Sequence, residues 1–268
     1  MFFKKKNKWI KKDQKFRHQY QQGDFFLAEF PKSGVTWLAT LIASLELTYL
    51  SRDESPAGNG TPLFGYGRRT ALISDDSLDV ELCPVRSEIF GGRVIKTHSE
   101  CQVHHQRCVY LYRHPGHVMV SYWSMLRAAG VIEKKLTLEE FCLHPSYGLG
   151  AWKKHVHSWI HLSSYVAVIT FLSYEQLCSD TAGCLKKILS IFGKEVSEAQ
   201  LTKALDASER SNMLQAERLA YENDIRRSAR FDKNYYFVGN ADRGTSLAKT
   251  IDPMIQKICK EEVDFLYP

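Results

Sequence analysis

No run of apolar residues in this 268-residue chain approaches the ~18 needed to cross a bilayer. The opening stretch also lacks an apolar core of signal-peptide length, because Phe2 and Phe3 precede a basic cluster instead of following it. These two absences give the expectation of a soluble, cytoplasmic protein without a membrane span. No C-x-x-C occurs, and the seven cysteines (Cys83, Cys101, Cys108, Cys142, Cys178, Cys184 and Cys259) are odd in number and irregularly spaced. That pattern argues against a disulfide framework and for mostly buried thiols in a reduced compartment. A low-complexity linker is missing as well, so one domain over 1–268 is expected, with 1–20 as a basic arm. The G-x-x-x-x-G-K-[ST] cradle of ATP- and GTP-binding loops is absent too.

What the chain does have is a small excess of cations, 36 Lys and Arg against 30 Asp and Glu. The formal charge of +6 suits an anionic ligand without requiring nucleic acid. Part of the excess lies in the arm, where Lys4, Lys5, Lys6, Lys8, Lys11, Lys12 and Lys15 crowd together, and it reads as a solvated basic face.

The stretch 26–41, FLAEFPKSGVTWLATL, reads as an apolar strand, a Pro/Gly turn and a helix start in immediate succession. Such a succession makes an anion site, because the unpaired N–H groups at the positive end of a helix converge on the turn. Lys32 adds an ammonium, Ser33 and Thr36 add hydroxyls, and Gly34 lets the backbone approach a ligand closely. A nucleotide or another phosphorylated ligand is the first hypothesis for this loop.

Beyond it, breakers crowd 51–92, which reads as mostly irregular, a substrate loop or lid; Phe64, Tyr66 and Phe90 are candidates for an apolar acceptor pocket there. Strands follow at 93–98 and 107–113, then a helix opened by His114-Pro115 and running to Gly130. Helices are expected at 136–143, 150–162, 180–192, 196–207 and 251–266. The run 165–172, YVAVITFL, has the composition of a strand buried on both faces. Strands alternating with helices predict an α/β domain with a parallel sheet, whose ligands collect at the carboxyl ends of the strands.

Two further constellations lie at those ends. Lys96 and His98 are two residues apart, hence on one side if the strand persists, and a neutral imidazole beside a cation can serve as a base toward a hydroxyl. Arg113 at a strand end and Ser121 in the next helix could together hold a phosphate. A zinc site built from His98, His104 and His105 is a minor alternative, since no fourth ligand has suitable spacing.

The string Phe30, Pro31, Lys32, Ser33, Gly34, Val35, Thr36, Trp37 resembles the 5′-phosphosulfate loop of the sulfotransferase family, Y-P-K-S-G-T-T-W. Lys96-Thr97-His98 resembles the family's K-T-H, whose His is the proposed base. YLYRHPGHVMVSY matches the 3′-phosphate motif through Arg113 and Ser121, and Tyr174-Glu175-Gln176-Leu177 is similar to Y-E-D-L. The resemblance implies a three-layer α/β sandwich with a central parallel sheet and a P-loop-like nucleotide-binding core. It implies 3′-phosphoadenosine 5′-phosphosulfate as sulfuryl donor, no metal, and a small hydroxyl-bearing (or amine) acceptor. In that frame His98, Lys32 and Lys96 are catalytic. Lys32, Ser33, Gly34, Val35, Thr36, Trp37, Arg113, Ser121 and Tyr174 hold the donor, with Trp37 and Tyr174 on its adenine.

The pattern departs from the family at 208–212, where a Phe against the adenine is expected, and at 237–244, where Arg243 is the candidate for a missing Arg. No match to the family's dimerisation motif occurs, so nothing is implied about oligomeric state. Two competing readings are a nucleotide kinase or NTPase, disfavoured because Lys32 precedes Gly34, and a non-catalytic nucleotide-binding protein.

Overall fold

The computed structural model describes residues 20–49, 73–75, 86–223, 238 and 245–268. Five parallel strands form one sheet: β1 (Phe25–Glu29), β2 (Ile73–Asp75), β3 (Val94–Thr97), β4 (Arg107–Tyr112) and β5 (Val168–Ser173), in the order β2-β3-β1-β4-β5. The helices are α1 (Val35–Tyr49), α2 (Pro115–Ala128), α3 (Leu138–Cys142), α4 (Leu149–Leu162), α5 (Tyr174–Ser179), α6 (Thr181–Ile191), α7 (Glu198–Ala207), α8 (Arg210–Asn223), α9 (Thr245–Lys249), α10 (Asp252–Ile258) and α11 (Lys260–Leu266).

The side-chain alternation of β1 explains the layering. Phe26 and Ala28 join Tyr110, Met119, Trp152 and Trp159 in one core, while Phe25 and Leu27 join Leu38, Ile42, Leu185 and Ile188 in the other. A central strand buried on both sides, with helices covering each face, gives the three-layer α/β arrangement that the sequence implies. The chain passes from β1 to β3 on one side and then crosses to β4 on the other, so β1 is where the strand order reverses. Ligand crevices of open parallel sheets form at the carboxyl ends of strands around such a point.

A buried ion pair fixes the register at the opposite end. Arg93 Nε and Nη2 donate to the two carboxylate oxygens of Asp24 at 2.8 and 2.6 Å, and the Phe25 amide donates to the Arg93 carbonyl at 2.8 Å. Phe25 then stands opposite Val94, and Ala28 opposite Thr97. On the other flank Glu29 stands opposite Leu111. The last residues of β1, β3 and β4 therefore finish side by side.

Several sequence expectations need correction. The 165–172 strand begins three residues later, after a tight turn at Ser163–Tyr165, and it is an edge strand with Tyr165 exposed and both faces only partly covered. The final helix is two, broken at Cys259. α5, α8 and α9 are additional to the expected helices, whereas the three-residue β2 is compatible with a mostly irregular 51–92. The basic arm, Phe64, Tyr66, Cys83 and Arg243 lie outside the described residues. Among the described residues, no helix is long and apolar enough to cross a membrane. Cys101, Cys108, Cys142, Cys184 and Cys259 are buried as expected, and Cys178 is exposed.

Candidate functional site

The loop after β1 is a tight turn closed by its own backbone. The Phe30 carbonyl accepts from the Ser33 amide at 3.2 Å and from Ser33 Oγ at 2.9 Å. Ser33 is buried, so its hydroxyl shapes the turn instead of projecting from it. Lys32 sits at φ 78° and Gly34 at φ 115°. Gly34 is required twice over: its backbone is left-handed, and a Cβ there would lie 2.5 Å from Tyr174 Cδ2. The Gly34 carbonyl starts α1 by accepting from the Trp37 amide at 3.0 Å. Val35 turns its side chain into the core, leaving its amide at the helix N-terminus. Thr36 and Trp37 follow, both half-buried.

Lys96 and His98 come from β3 and the residue after it. The strand stops at Thr97, yet both groups converge on Glu29, the last residue of β1. His98 Nδ1 lies 3.3 Å from the Glu29 carbonyl and 3.7 Å from its Oε1. The turn carrying His98 is pinned from α4, where Trp159 Nε1 donates to the Ser99 carbonyl at 3.2 Å and Ser158 Oγ accepts from the Cys101 amide at 3.0 Å. Behind it, Tyr110 and His155 share a hydrogen bond of 3.0 Å. Burial, and then the nearby His98, push the His155 imidazole down to about 3.

Glu29 is absent from the sequence expectations, although a carboxylate inside the apolar FFLAEF run is an observable signal. It is 3% exposed, and its Oε2 accepts from the Val35 amide at 2.7 Å. Loss of water raises its carboxyl to about 7 against the opposing pull of Lys96, the Val35 amide and Lys32. Loss of water likewise lowers Lys32 to about 8, against the attraction of Glu29 and Glu217 and with the help of Lys96 and Arg113. A cation held this far below its usual range gains from any anion that enters.

The third group gathers around Tyr174, which opens α5. The Arg113 guanidinium lies 4.3 Å over the Tyr174 ring, and Trp37 meets the same ring edge-on at 5.9 Å. Among the described residues the buried Nε of Arg113 has no hydrogen-bond partner, so a donor beside the Tyr174 ring stands without an acceptor. On its far side Trp37 packs against Met213 and Ala216 of α8; a methionine occupies the neighbourhood where the sequence comparison seeks a Phe. The next residue after Tyr174 ties the site together: Glu175 accepts from the His114 amide at 3.2 Å and from Tyr267 Oη at 3.0 Å. Ser121 lies on α2, partly exposed, two turns beyond Pro115. His104 and His105 instead pack in the aromatic core, stacked on Tyr20 and Trp159.

The structure thus brings Lys32, Gly34, Lys96, His98, Arg113, Tyr174 and Trp37 to one end of the sheet. The arrangement can hold two anionic groups and a flat ring, and it sets an imidazole beside the loop.

Comparison with known proteins places the fold. At 18% identity the chain superposes on retinol dehydratase in complex with androsterone and the inactive cofactor PAP, with a TM-score of 0.69 over 96% of this chain and 84% of that one. Mouse sulfotransferase SULT7A1 complexed with PAP gives 0.60 at 20% identity, over 91% and 84%. In sequence it is 23% identical to Sulfotransferase 2A2 of Rattus norvegicus over 197 residues, 70% of this chain and 65% of that protein. For human Sulfotransferase 2A1 the figures are 24% over 200 residues, 71% and 66%. The chain thus spans just under two thirds of the curated relatives it matches. The family model described as the sulfotransferase domain matches residues 22–239, and the chain belongs to that family.

Proposed function

We propose that this protein is a sulfotransferase that moves a sulfuryl group from 3′-phosphoadenosine 5′-phosphosulfate to the hydroxyl, or amine, of a small acceptor. The observation that carries the reading is the convergence of Lys32, Lys96 and His98 beside the loop with Arg113 and Tyr174. Bound there, the donor supplies an activated sulfuryl group on a phosphate leaving group. The residues fit it: the Arg113 Nε, which has no partner among the described residues, suits a 3′-phosphate, and Lys32, lowered by partial loss of water, suits the 5′ end. Ser33, Gly34, Val35 and Thr36 contribute the loop, Ser121 a further 3′-phosphate donor, Trp37 and Tyr174 the adenine side, and Arg243 a clamp.

His98 is assigned the acceptor's proton. Its Nδ1 faces the Glu29 carbonyl, which can only accept, so the ring hydrogen belongs on Nδ1 and Nε2 keeps the lone pair. Lys32 and Lys96 neutralise charge that develops as the oxygen to sulfur bond forms and the sulfur to phosphate-oxygen bond breaks. Positioning and electrostatics supply most of the rate, as in phosphoryl transfer. We place the protein in the cytoplasm as a single domain, with a small molecule as its acceptor. The androsterone named for retinol dehydratase supports an alcohol as the first acceptor class to try.

Calorimetric titration of 3′-phosphoadenosine 5′-phosphate (PAP) tests this. Wild type should prefer it strongly over adenosine 5′-phosphate, and Arg113→Ala should lose that preference, about 10- to 100-fold for a charged hydrogen-bond pair. Absence of any 3′-phosphate preference in wild type overturns the reading.

A further inference from the structure

Nothing in the proposed transfer uses Glu29, yet its carboxylate lies between the two halves of the site. Oε2 takes the Val35 amide at 2.7 Å, at the N-terminus of α1, and Oε1 lies 3.7 Å from His98 Nδ1. A glutamine would hold that amide without burying a charge, so helix capping alone does not account for a carboxylate that is 3% exposed. The amide it holds is one of those through which the loop would bind an anion. An entering phosphate and the Glu29 carboxylate cannot both be charged at that amide without repulsion.

We propose that Glu29 is a determinant of donor binding: its carboxylate holds the Val35 amide until the donor's 5′-phosphate takes it, and then pairs with the His98 imidazole. The inference rests on the sulfuryl-transfer reading and adds a residue to it. Glu29 acts through the amide and through His98, and is a positioning residue. It links donor binding to a proton, because a carboxylate pushed off its amide beside a phosphate is eased by protonating itself, which leaves the lone pair on His98 Nε2. The groups around it are Lys32 on the loop, Lys96 and His98 at the end of β3, Tyr110 on β4, and the Gly34 and Val35 amides. With the Glu29 carboxyl titrating at about 7, the neutral form yields the amide below that pH and the charged form resists above it.

PAP binding to the full chain is measured at pH about 6 and about 8 for wild type, Glu29→Gln and Glu29→Ser. Gln leaves an acceptor within reach of the Val35 amide, the shorter Ser does not, and neither carries a charge. The ratio of wild-type Kd to Glu29→Gln Kd should rise about tenfold between the two pH values, with both variants tighter than wild type at the higher one. Ionisation of the ligand's own phosphates near pH ~6 is common to all three proteins and cancels in the ratio. Wild type alone gives a second reading that needs no variant. Its binding heat near pH 7, compared in buffers of different ionisation enthalpy, should reveal proton uptake beyond what the ligand's phosphates account for.

Binding with full 3′-phosphate preference, but with a flat ratio and no excess proton, overturns the Glu29 inference and leaves the transferase reading intact. Loss of the 3′-phosphate preference with the pH-dependent ratio retained does the reverse. No PAP binding by any of the three proteins overturns both.

Discussion

Gly34→Ala probes the site through a single methyl group. Two costs can be worked out from the structure. An L-residue at φ 115° leaves the favourable backbone regions, which costs about 1–3 kcal/mol. The new Cβ would also sit 2.5 and 2.8 Å from Tyr174 Cδ2 and Cε2, so the ring must retreat by about 1 Å to reach ordinary contact. A displaced ring costs about 0.5–1.5 kcal/mol in rotamer strain and weakens its stacking with Arg113, worth about 0.5–1 kcal/mol. The sum is about 2–5 kcal/mol. Gly130→Ala is the control: Gly130 has φ 62°, and a Cβ added there would meet nothing within 4 Å, so it carries the backbone cost alone. Urea unfolding should therefore put Gly34→Ala below Gly130→Ala by about 1–2 kcal/mol. Calorimetry should show PAP affinity reduced at least about tenfold by Gly34→Ala and unchanged by Gly130→Ala. Equal stability and equal PAP affinity for the two variants would refute the assignment of Tyr174 and Arg113 to one packed unit against the loop.

Four further outcomes are expected. Asp24→Ala removes the carboxylate to which Arg93 Nε and Nη2 both donate and should lose about 3–5 kcal/mol in urea unfolding, and adding Arg93→Met should restore part of the loss. Glu29 titrates at about 7 in the folded state, above the ordinary 4.5 of a glutamate, so the folded form binds more protons between those values and stability falls as pH rises through that window. The stability of wild type minus that of Glu29→Gln should accordingly drop by a few kcal/mol from pH about 4.5 to about 7, as read by denaturant titration across that range. Tyr267→Phe removes one hydrogen bond to Glu175 and should cost about 1 kcal/mol by thermal or urea unfolding. His98→Ala should lower sulfuryl transfer about 10²- to 10⁴-fold in an initial-rate assay with an alcohol acceptor.

The loop and its flanking elements are legible in the sequence because local chemistry specifies them. An apolar run, P-K-S-G and a helix-forming stretch can only be a strand, a turn and a helix. Strand alternation puts Lys96 and His98 on one side only if the strand persists, whereas β3 stops at Thr97 and what joins them is Glu29 across the β1–β3 boundary. That contact depends on strand order, which no local pattern encodes. Burial of a carboxylate is also a tertiary outcome, so FFLAEF marks Glu29 as unusual without saying what it faces. Ser33 illustrates the converse: its hydroxyl is available to a ligand in sequence terms, and the turn takes it for the Phe30 carbonyl. α8 is hard to see in sequence because RSNMLQAERLAYEN has few apolar residues, and its place is set by Met213 and Ala216 meeting Trp37. The start of β5 is obscured because YVAVITFL is uniformly apolar, whereas its first residues form an exposed turn at the sheet edge.

The ties at the end of the chain set an order of assembly. Tyr112 Oη donates to the Leu266 carbonyl at 2.9 Å, a contact across 154 positions, and Tyr267 Oη reaches Glu175 across 92. The strand end that carries Arg113 and the turn that carries Tyr174 are thus clasped by residues far along the chain from both. Closing loops of this length is slow relative to forming the local β1-loop-α1 unit. The anion loop can form early, yet the Arg113–Tyr174 side is complete only once α11 and Tyr267 dock, so ligand affinity develops late in folding.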